Sequence, residues 1–206
     1  TASNVLGTQM KATGEVMGIG SSLEECLLKS VRCLETGASH FWLSKFADKS
    51  EQELIDYLYD YKDDSIFAVT QLLRIGTSVS KLHEITKITS FFLESLKKIV
   101  DMEQYISLHK NDVTALKSAK KMGFSDKTIA GLWNTDEIEV YKMRHSEEIS
   151  PVFRMADTLH TGAYIPYFYS SYSEKNKSVV TDKKKIIVLG AGPIRIGQGV
   201  EFDYST

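Results

Sequence analysis

The stretch TKITSFFLESLKKIVDMEQYI, residues 86–106, decides the fold class of this chain. Its apolar residues recur at the three- and four-residue spacing of an amphipathic helix. One face of that helix carries Ile88, Phe92, Leu96, Ile99, Glu103 and Ile106. Thr86 stands where the N-terminal cap is expected. Because a helix with one apolar face is stable when that face is buried, the stretch predicts a helical domain packed around it.

The segments on both sides carry further helix signals. Two capping boxes, Ser22 with Glu25 and Ser50 with Glu53, each predict the start of a helix. Gly123 followed by Phe124 predicts a left-handed helix stop with its apolar partner. The first helix is predicted to bury a stripe of Leu23, Leu27, Val31 and Leu34 and to stop at Gly37. The others are predicted from residue 50 through Tyr59, over 64–75 with Gly76 as the stop, over 79–85, from 111 or 112 to 123, over 125–132 and from Thr135 toward 145.

The pattern changes after residue 150. All three prolines, Pro151, Pro166 and Pro193, fall beyond that point, and proline is poorly tolerated inside helices. Residues 152–155 and the tyrosine-rich segment 164–172 are predicted to be strand-like or irregular, and 174–185 to form a polar surface loop. The fold class predicted is mainly α, with a compact multi-helix domain over about residues 21–146, an extended C-terminal segment and one isolated α/β-type strand.

That strand is Ile186–Leu189, an apolar run that leads into Gly190 and Gly192. A continuous apolar run of this kind is typical of a buried parallel strand, which needs neighbours joined by crossovers of a dozen residues or more. The chain is therefore expected to stop inside a domain. A dinucleotide site is disfavoured because Arg195 stands where the third fingerprint glycine belongs and Pro193 lacks a backbone donor.

Composition excludes several function classes. The chain has 25 Lys and Arg against 27 Asp and Glu, a net charge of -2, which argues against a general nucleic-acid or membrane-surface binder. Lacking a signal-peptide pattern and a run of about 20 apolar residues, the chain is predicted to be cytoplasmic. Cys26 and Cys33 lie seven residues apart on one predicted helix and are expected to be buried free thiols.

Other candidate sites have simple structural explanations. The five histidines His40, His83, His109, His145 and His160 are scattered, so no metal site is predicted. Lys117, Lys120 and Lys121 form a basic face that suits DNA contact or, more simply, a solvated helix end. The adjacent Phe91 and Phe92 mark either a subunit surface or a pair buried between layers.

Two longer motifs carry a resemblance to a known family. GAGPIRIGQGVEFDY, residues 190–204, resembles the opening of the second synthetase half in the large subunit of carbamoyl phosphate synthetase. MKATGEVMGIG, residues 10–20, is similar to the segment that closes the first ATP-grasp half of that subunit. SPVFRMADT, residues 150–158, also resembles the family.

The resemblance implies a division of the chain. Residues 1–20 correspond to a tail of the first synthetase half, and 21–150 to the helical connecting, or oligomerisation, domain. Residues 151–184 correspond to an extended linker that packs on the helices, and 185–206 to the first strand and glycine loop of the second half.

Site residues follow from the same resemblance. They are Thr13, Gly14 and Glu15 at the edge of the first ATP site, Gly190, Gly192, Arg195 and Gly197 in the second-half loop, and Gly199 and Glu201 along the passage that carries carbamate. An enclosed passage has a chemical reason, because carbamate decomposes in water. No catalytic constellation is complete within residues 1–206.

The resemblance also implies cofactors and partners. The family makes carbamoyl phosphate from bicarbonate, glutamine-derived ammonia and two ATP with Mg or Mn, and K, for arginine or pyrimidine biosynthesis. None of these cofactors is expected to bind this chain alone, which is expected to be inactive. The expected partners are a small glutaminase subunit and other large subunits, with a possible homo-oligomer through the helical domain. The alternatives are an independent helical interaction or DNA-binding module and an NAD-dependent enzyme.

Overall fold

The computed structural model describes residues 3–9, 16–34, 36–156, 162, 164, 167–172 and 175–188. Within these ranges the chain is mainly helical, as predicted. The α-helices are α1 (Leu23–Cys33), α2 (Glu51–Tyr59), α3 (Ser65–Arg74), α4 (Val79–Thr86), α5 (Ser90–Leu108), α6 (Val113–Met122), α7 (Asp126–Trp133) and α8 (Glu137–Ser146). A 3₁₀ helix covers Ser44–Phe46, and the strands are β1 (Val152–Met155) and β2 (Phe168–Ser171).

Helix α5 is the centre of the helical block. It contacts α1, α3, α4, α6 and α7, and its inner face buries Leu93, Leu96, Ile99 and Ile106. The carbonyl of Ile106 also accepts a hydrogen bond from the Trp133 indole, at 2.9 Å. The amphipathic stretch therefore organises the core, as its periodicity predicts, although Phe92 of the predicted face is 48% exposed.

Most helix ends lie where their polar caps predict them. Ser50 and Glu53 form a complete capping box at α2, and the Asp112 and Ser125 side chains cap α6 and α7. Helix α6 ends in a Schellman motif: the Phe124 N–H donates to the Ala119 carbonyl at 3.0 Å.

Two helix starts differ from prediction. Thr86 does not cap α5; it is the last residue of α4, and its hydroxyl donates to the Leu82 carbonyl at 2.7 Å. Lys87 then takes a left-handed conformation and Thr89, in an extended conformation, is the residue before α5. Helix α8 similarly starts after Asp136 and not after Thr135.

The predicted stripe of α1 is correct at Val31 and wrong at Leu34, and Leu23 and Leu27 are only half-buried. Its buried residues are Leu28 and Val31 together with Glu24 and Glu25, while Leu34 is 47% exposed. Counting apolar residues placed the inner face incorrectly because Glu25 finds polar partners inside the protein. Its capping box is also incomplete, since the carboxylate accepts a hydrogen bond from the N–H of Ser21 and not of Ser22.

The end of α1 also differs from prediction. The helix stops at Cys33, and Gly37, although left-handed, lies beyond its cap. Cys26 and Cys33 both lie on α1 outside any disulfide, and both are half-buried where full burial is predicted.

The extended C-terminal segment forms a hairpin with the strands antiparallel. Val152 pairs with Ser171 and Met155 with Phe168, and the Ala156 N–H extends the ladder to the Tyr167 carbonyl at 2.9 Å. Sequence patterns predicted extended chain here but not this pairing.

Residues 184–188 form neither a helix nor a paired strand. Ile186 is 91% exposed and Ile187 83% exposed, so the predicted burial of this run does not occur in the structure as described. A parallel strand is buried by neighbouring strands and crossover helices, and no described strand lies beside this one. Leu189 and the glycine loop fall outside the described residues.

Replacing Gly123 by alanine should destabilise the helical block more than the same change at Gly76. Both glycines have positive φ, +105 and +96, but a Cβ at Gly123 would lie 2.9 Å from the Glu25 Cα whereas Gly76 faces open space. We expect Gly76→Ala to cost about 1 kcal/mol from backbone strain and Gly123→Ala at least ~2 kcal/mol. Urea denaturation measures both, and equal losses would show that contact with α1 adds nothing.

Candidate functional site

The nine sequence-predicted site residues all lie outside the described residues. They are Thr13, Gly14, Glu15, Gly190, Gly192, Arg195, Gly197, Gly199 and Glu201. Their roles therefore stay predictions. The described residues contain two buried ionic clusters, two clefts and a polar contact between distant segments on α1.

The first ionic cluster joins α3 to α5. Arg74 binds Glu103 through two hydrogen bonds, Nε to Oε2 at 2.7 Å and Nη2 to Oε1 at 2.9 Å. Arg74 Nη2 also donates to the Phe41 carbonyl at 2.6 Å. Both side chains are nearly buried, at 15% and 7% exposure. A bidentate pair of this kind neutralises the carboxylate that the apolar face of α5 carries inward.

His40 lies beside this pair as a neutral imidazole. Its Nε2 is 3.8 Å from Glu103 Oε1, and its Nδ1 is 3.2 Å from the Ser39 hydroxyl. Burial, together with the nearby Arg74 charge, lowers the pKa of His40 to about 4. At neutral pH the imidazole ring of His40 is therefore uncharged.

The second cluster joins α6, α7 and α8. Asp126 accepts hydrogen bonds from Lys120 Nζ at 2.6 Å and from Arg144 Nε at 3.1 Å. Burial lowers the pKa of Lys120. Burial also acts to raise the pKa of Asp126, but its two cationic partners outweigh that effect and lower it.

The predicted basic face is therefore wrong in one of its three members. Lys120 is 5% exposed and its ammonium also donates to the Phe124 carbonyl at 2.9 Å. Lys117 and Lys121 remain exposed. Two exposed lysines on one helix are the ordinary solvated face of a globular protein.

An apolar cleft of about 620 Å³ opens at one side of α5. Phe92 forms part of its wall, with Leu27, Leu58, Ile66 and Ile88. Phe92 is 48% exposed and Phe91 beside it 68% exposed, so the interpretation that both are buried between layers is wrong. Their rings contact each other edge to face, with 5.4 Å between the ring centroids.

A second cleft of about 700 Å³ lies over the first ionic cluster. His40, Arg74 and Glu103 form its floor, and the exposed Trp42 and Leu108 line it as well. Arg74 and Glu103 are already paired with each other, and Lys127 also lines the cleft. Across the described ranges no group of three His, Cys, Asp or Glu is placed to hold a metal ion.

Comparison with protein families assigns the helical block. The family model described as carbamoyl-phosphate synthetase large chain, oligomerisation domain, matches residues 15–148, which include α1 to α8. This chain belongs to the carbamoyl phosphate synthetase large chain family. A second model of the same enzyme, its preATP-grasp domain, matches residues 182–206.

The two carbamoyl phosphate synthetase matches cover different elements of this chain. The oligomerisation-domain match includes both ionic clusters, the second cleft and the lining of the apolar cleft apart from Leu6. The hairpin lies between the two matched ranges. No helix among the described residues is long and apolar enough to cross a membrane.

Sequence reasoning missed the partners of the buried charges. One signal was available: Glu103 falls on the apolar face of α5, and a carboxylate on such a face requires a cation when buried. Nothing local identifies that cation as Arg74, which lies on another helix. The inward direction of Glu25 had no comparable signal because it looked like half of a capping box.

Protonation of His40 should destabilise the domain in mild acid. The folded-state pKa of about 4 lies below the usual value near 6.5. The contribution of neutral His40 to the free energy of unfolding is complete above about pH 6.5. It falls as the pH drops toward 4, because in that interval the unfolded state binds a proton that the folded state does not. The loss should reach about 2–3 kcal/mol.

The variant His40→Gln should lose less stability than the unmodified chain over this interval. His145→Gln, which replaces an exposed histidine, is the matched control and should behave like the unmodified chain. Urea midpoints at pH 7, 6, 5 and 4 measure the difference. A steep decline that His40→Gln leaves unchanged would assign it to other groups.

Proposed function

We propose that this chain provides the connecting part of a glutamine-hydrolysing carbamoyl phosphate synthetase large subunit. In this proposal its helical block holds two synthetase halves at a fixed spacing and supplies a surface for association of large subunits. The observation that carries the proposal is the match of the helical block to the oligomerisation domain and of residues 182–206 to the preATP-grasp domain. The order of the two along the chain fits a spacer followed by a catalytic half.

The proposed boundaries follow the elements. Residues 1–20 would belong to the first half, 21–150 to the helical domain, 151–184 to the linker and 185–206 to the start of the second half. Helix α1 begins at Leu23 and α8 ends at Ser146, and the hairpin follows. These bounds agree with a helical core that is complete before the linker starts.

The complete subunit would be an ATP-dependent ligase. It would use bicarbonate, ammonia from glutamine and two ATP, with the small glutaminase subunit as its partner. Thr13, Gly14 and Glu15 would lie at the edge of the first ATP site, and Gly199 and Glu201 along the carbamate passage. The loop of Gly190, Gly192, Arg195 and Gly197 would belong to the second half. This chain alone would make no carbamoyl phosphate, because the groups that hold metal and phosphate would come from the two halves.

The association surface is proposed to include Phe91 and Phe92. Adjacent positions on a helix point in different directions, yet both rings are substantially exposed. Large aromatic side chains contribute strongly to protein interfaces when a partner covers them. The neighbouring apolar cleft, of which Phe92 is a wall, extends the same surface.

The alternative of a DNA-binding module is not supported by the charges. Lys120, one of the three lysines on which it rested, is buried in an ionic cluster. The NAD-dependent alternative rested on glycines in residues 190–197, which fall in the range matched by the preATP-grasp domain.

The double variant Phe91→Ser/Phe92→Ser should weaken self-association of this chain. Removing two exposed rings should raise the dissociation constant at least about tenfold without a loss of folding, since neither ring contributes to the core. Sedimentation equilibrium over a concentration series measures the constant.

Leu108→Ser is the matched control. It removes an 81% exposed apolar side chain from the same helix, away from the Phe91–Phe92 surface. An equal effect from this control, or an unmodified chain that is monomeric at every concentration, would contradict the proposed surface.

A further inference from the structure

Helix α1 is the place where the segment before the helical block and the segment after it meet. Residues 16–21 lead into it, and Ser170 and Ser171 of β2 contact it from the other end of the helical block. Both segments are bound by two α1 side chains, Glu25 and Lys29. These lie four residues apart and therefore on the same helix face.

The ammonium of Lys29 contacts three oxygens. It donates to the Ile19 carbonyl at 2.6 Å and to the Ser170 carbonyl at 2.7 Å, and it forms an ion pair with Glu25 Oε1 at 2.9 Å. The same nitrogen therefore joins a backbone carbonyl before the helical block to one after it.

The carboxylate of Glu25 binds the same two segments. Its Oε2 accepts from the Ser21 N–H at 2.7 Å, from the Ser21 hydroxyl at 2.9 Å and from the Ser171 hydroxyl at 3.2 Å. The residue is 2% exposed. Burial acts to raise the pKa of this carboxyl, but the hydrogen bonds from Ser21 and Lys29 outweigh it and lower it.

Two glycines allow the incoming segment to lie directly on the helix. A Cβ at Gly18 would lie 2.3 Å from the Cys26 carbonyl oxygen and 2.4 Å from the Ser30 hydroxyl. A Cβ at Gly20 would lie 2.9 Å from the Glu25 side chain. The backbone of residues 18–20 therefore packs against α1 more closely than a chain with side chains at these positions allows.

The outgoing segment has a second attachment. Tyr172, which follows β2, lies under Lys120 at 4.7 Å and Arg144 at 5.7 Å from its ring centroid. Cation–π contacts of this kind help to fix the hairpin to the helical block. The outgoing segment is thus fixed to α1 and to the α6–α8 side of the helical block.

We propose that Glu25 and Lys29 are positioning residues that clamp the segment entering the helical domain to the segment leaving it. The inference rests on the proposed function: if these segments lead to the two synthetase halves, the clamp fixes where the halves sit relative to each other. When an unstable intermediate must pass between two sites, even a small displacement of one half relative to the other lowers the efficiency of its transfer. The clamp is then a determinant of coupling between the halves and not a part of either active site.

The clamp is tested first on this chain by hydrogen exchange. Lys29→Met removes the ammonium while keeping an unbranched side chain only one atom shorter. We expect amide exchange to accelerate about tenfold or more in residues 19–21 and also in 169–171. Lys142→Met, which breaks an exposed pair with Glu139 within α8, is the control and should leave both segments unchanged. Acceleration in one segment alone, or in neither, would overturn the clamp.

Gly18→Ala provides a second test that leaves the charges in place. The added methyl group should displace residues 18–20 from α1 and accelerate exchange at residues 19–21. Gly7→Ala is the matched control, because no heavy atom lies within 4 Å of its added Cβ. It should leave exchange at residues 19–21 unchanged. Unchanged exchange in Gly18→Ala would show that close packing on α1 does not hold the segment.

The functional part is tested in the complete large subunit with its glutaminase partner, by the ratio of ATP hydrolysed to carbamoyl phosphate formed. Lys29→Met and Gly18→Ala should raise that ratio at least about twofold. Ser50→Ala, which removes the cap of α2 and lowers stability by about 1 kcal/mol, should leave the ratio unchanged.

The possible results separate the two proposals. A clamp that loosens in the exchange experiment without a change in the ratio would overturn the positioning role. A ratio that rises equally in Ser50→Ala would assign the effect to lost stability and also overturn it. An unmodified subunit that forms no carbamoyl phosphate would overturn the proposed function, while the exchange results would still decide whether the clamp exists.

Discussion

The structure depends on the burial of one face of α5 with a carboxylate in the middle of it. Leu93, Leu96, Ile99 and Ile106 bury fully or nearly so, and each such side chain contributes about 1.5–3 kcal/mol. Glu103 lies on the same face, and an unpaired charge there would cost about 3–5 kcal/mol. Arg74 on α3 offsets much of that cost by pairing with it at 2.7 Å, although burial still raises the pKa of Glu103. The helices can therefore pack around α5 only in arrangements that bring Arg74 to Glu103.

Buried ionic contacts recur where separate parts of the chain must meet. Asp126 joins α6, α7 and α8 through Lys120 and Arg144, and the Glu25–Lys29 pair joins the two segments that leave the helical block. Each contact has strict distance requirements, whereas apolar contacts tolerate sliding. A domain whose proposed function is to hold two catalytic halves apart would use contacts of the first kind at its exits. The exposed aromatic pair on α5, in contrast, lies on the outer surface where a partner can cover it.

Local signals predicted the helices well and their inner faces less well. The Ser50–Glu53 box and the Gly123–Phe124 stop were predicted correctly because each is formed by residues close in sequence. Thr86 and Thr89 offer the same capping chemistry, and the left-handed Lys87 between them decides which one precedes α5. The carboxylate of Glu25 is bound by Ser21, four residues away, and by Ser171, which is distant in sequence, so a local window shows only one of its two partners.

The sequence by itself determined where helices form, where most of them end and to which family the two terminal motifs point. Hydrogen bonds of caps and turns span a few residues, and the resemblance is carried by continuous motifs. The site residues assigned through those motifs, such as Thr13 and Glu201, remain predictions. Only the tertiary structure decided that Arg74 pairs with Glu103, that Lys120 is buried and that Phe91 and Phe92 are exposed. The physical reason is that burial and charge pairing are set by residues brought together from distant parts of the chain.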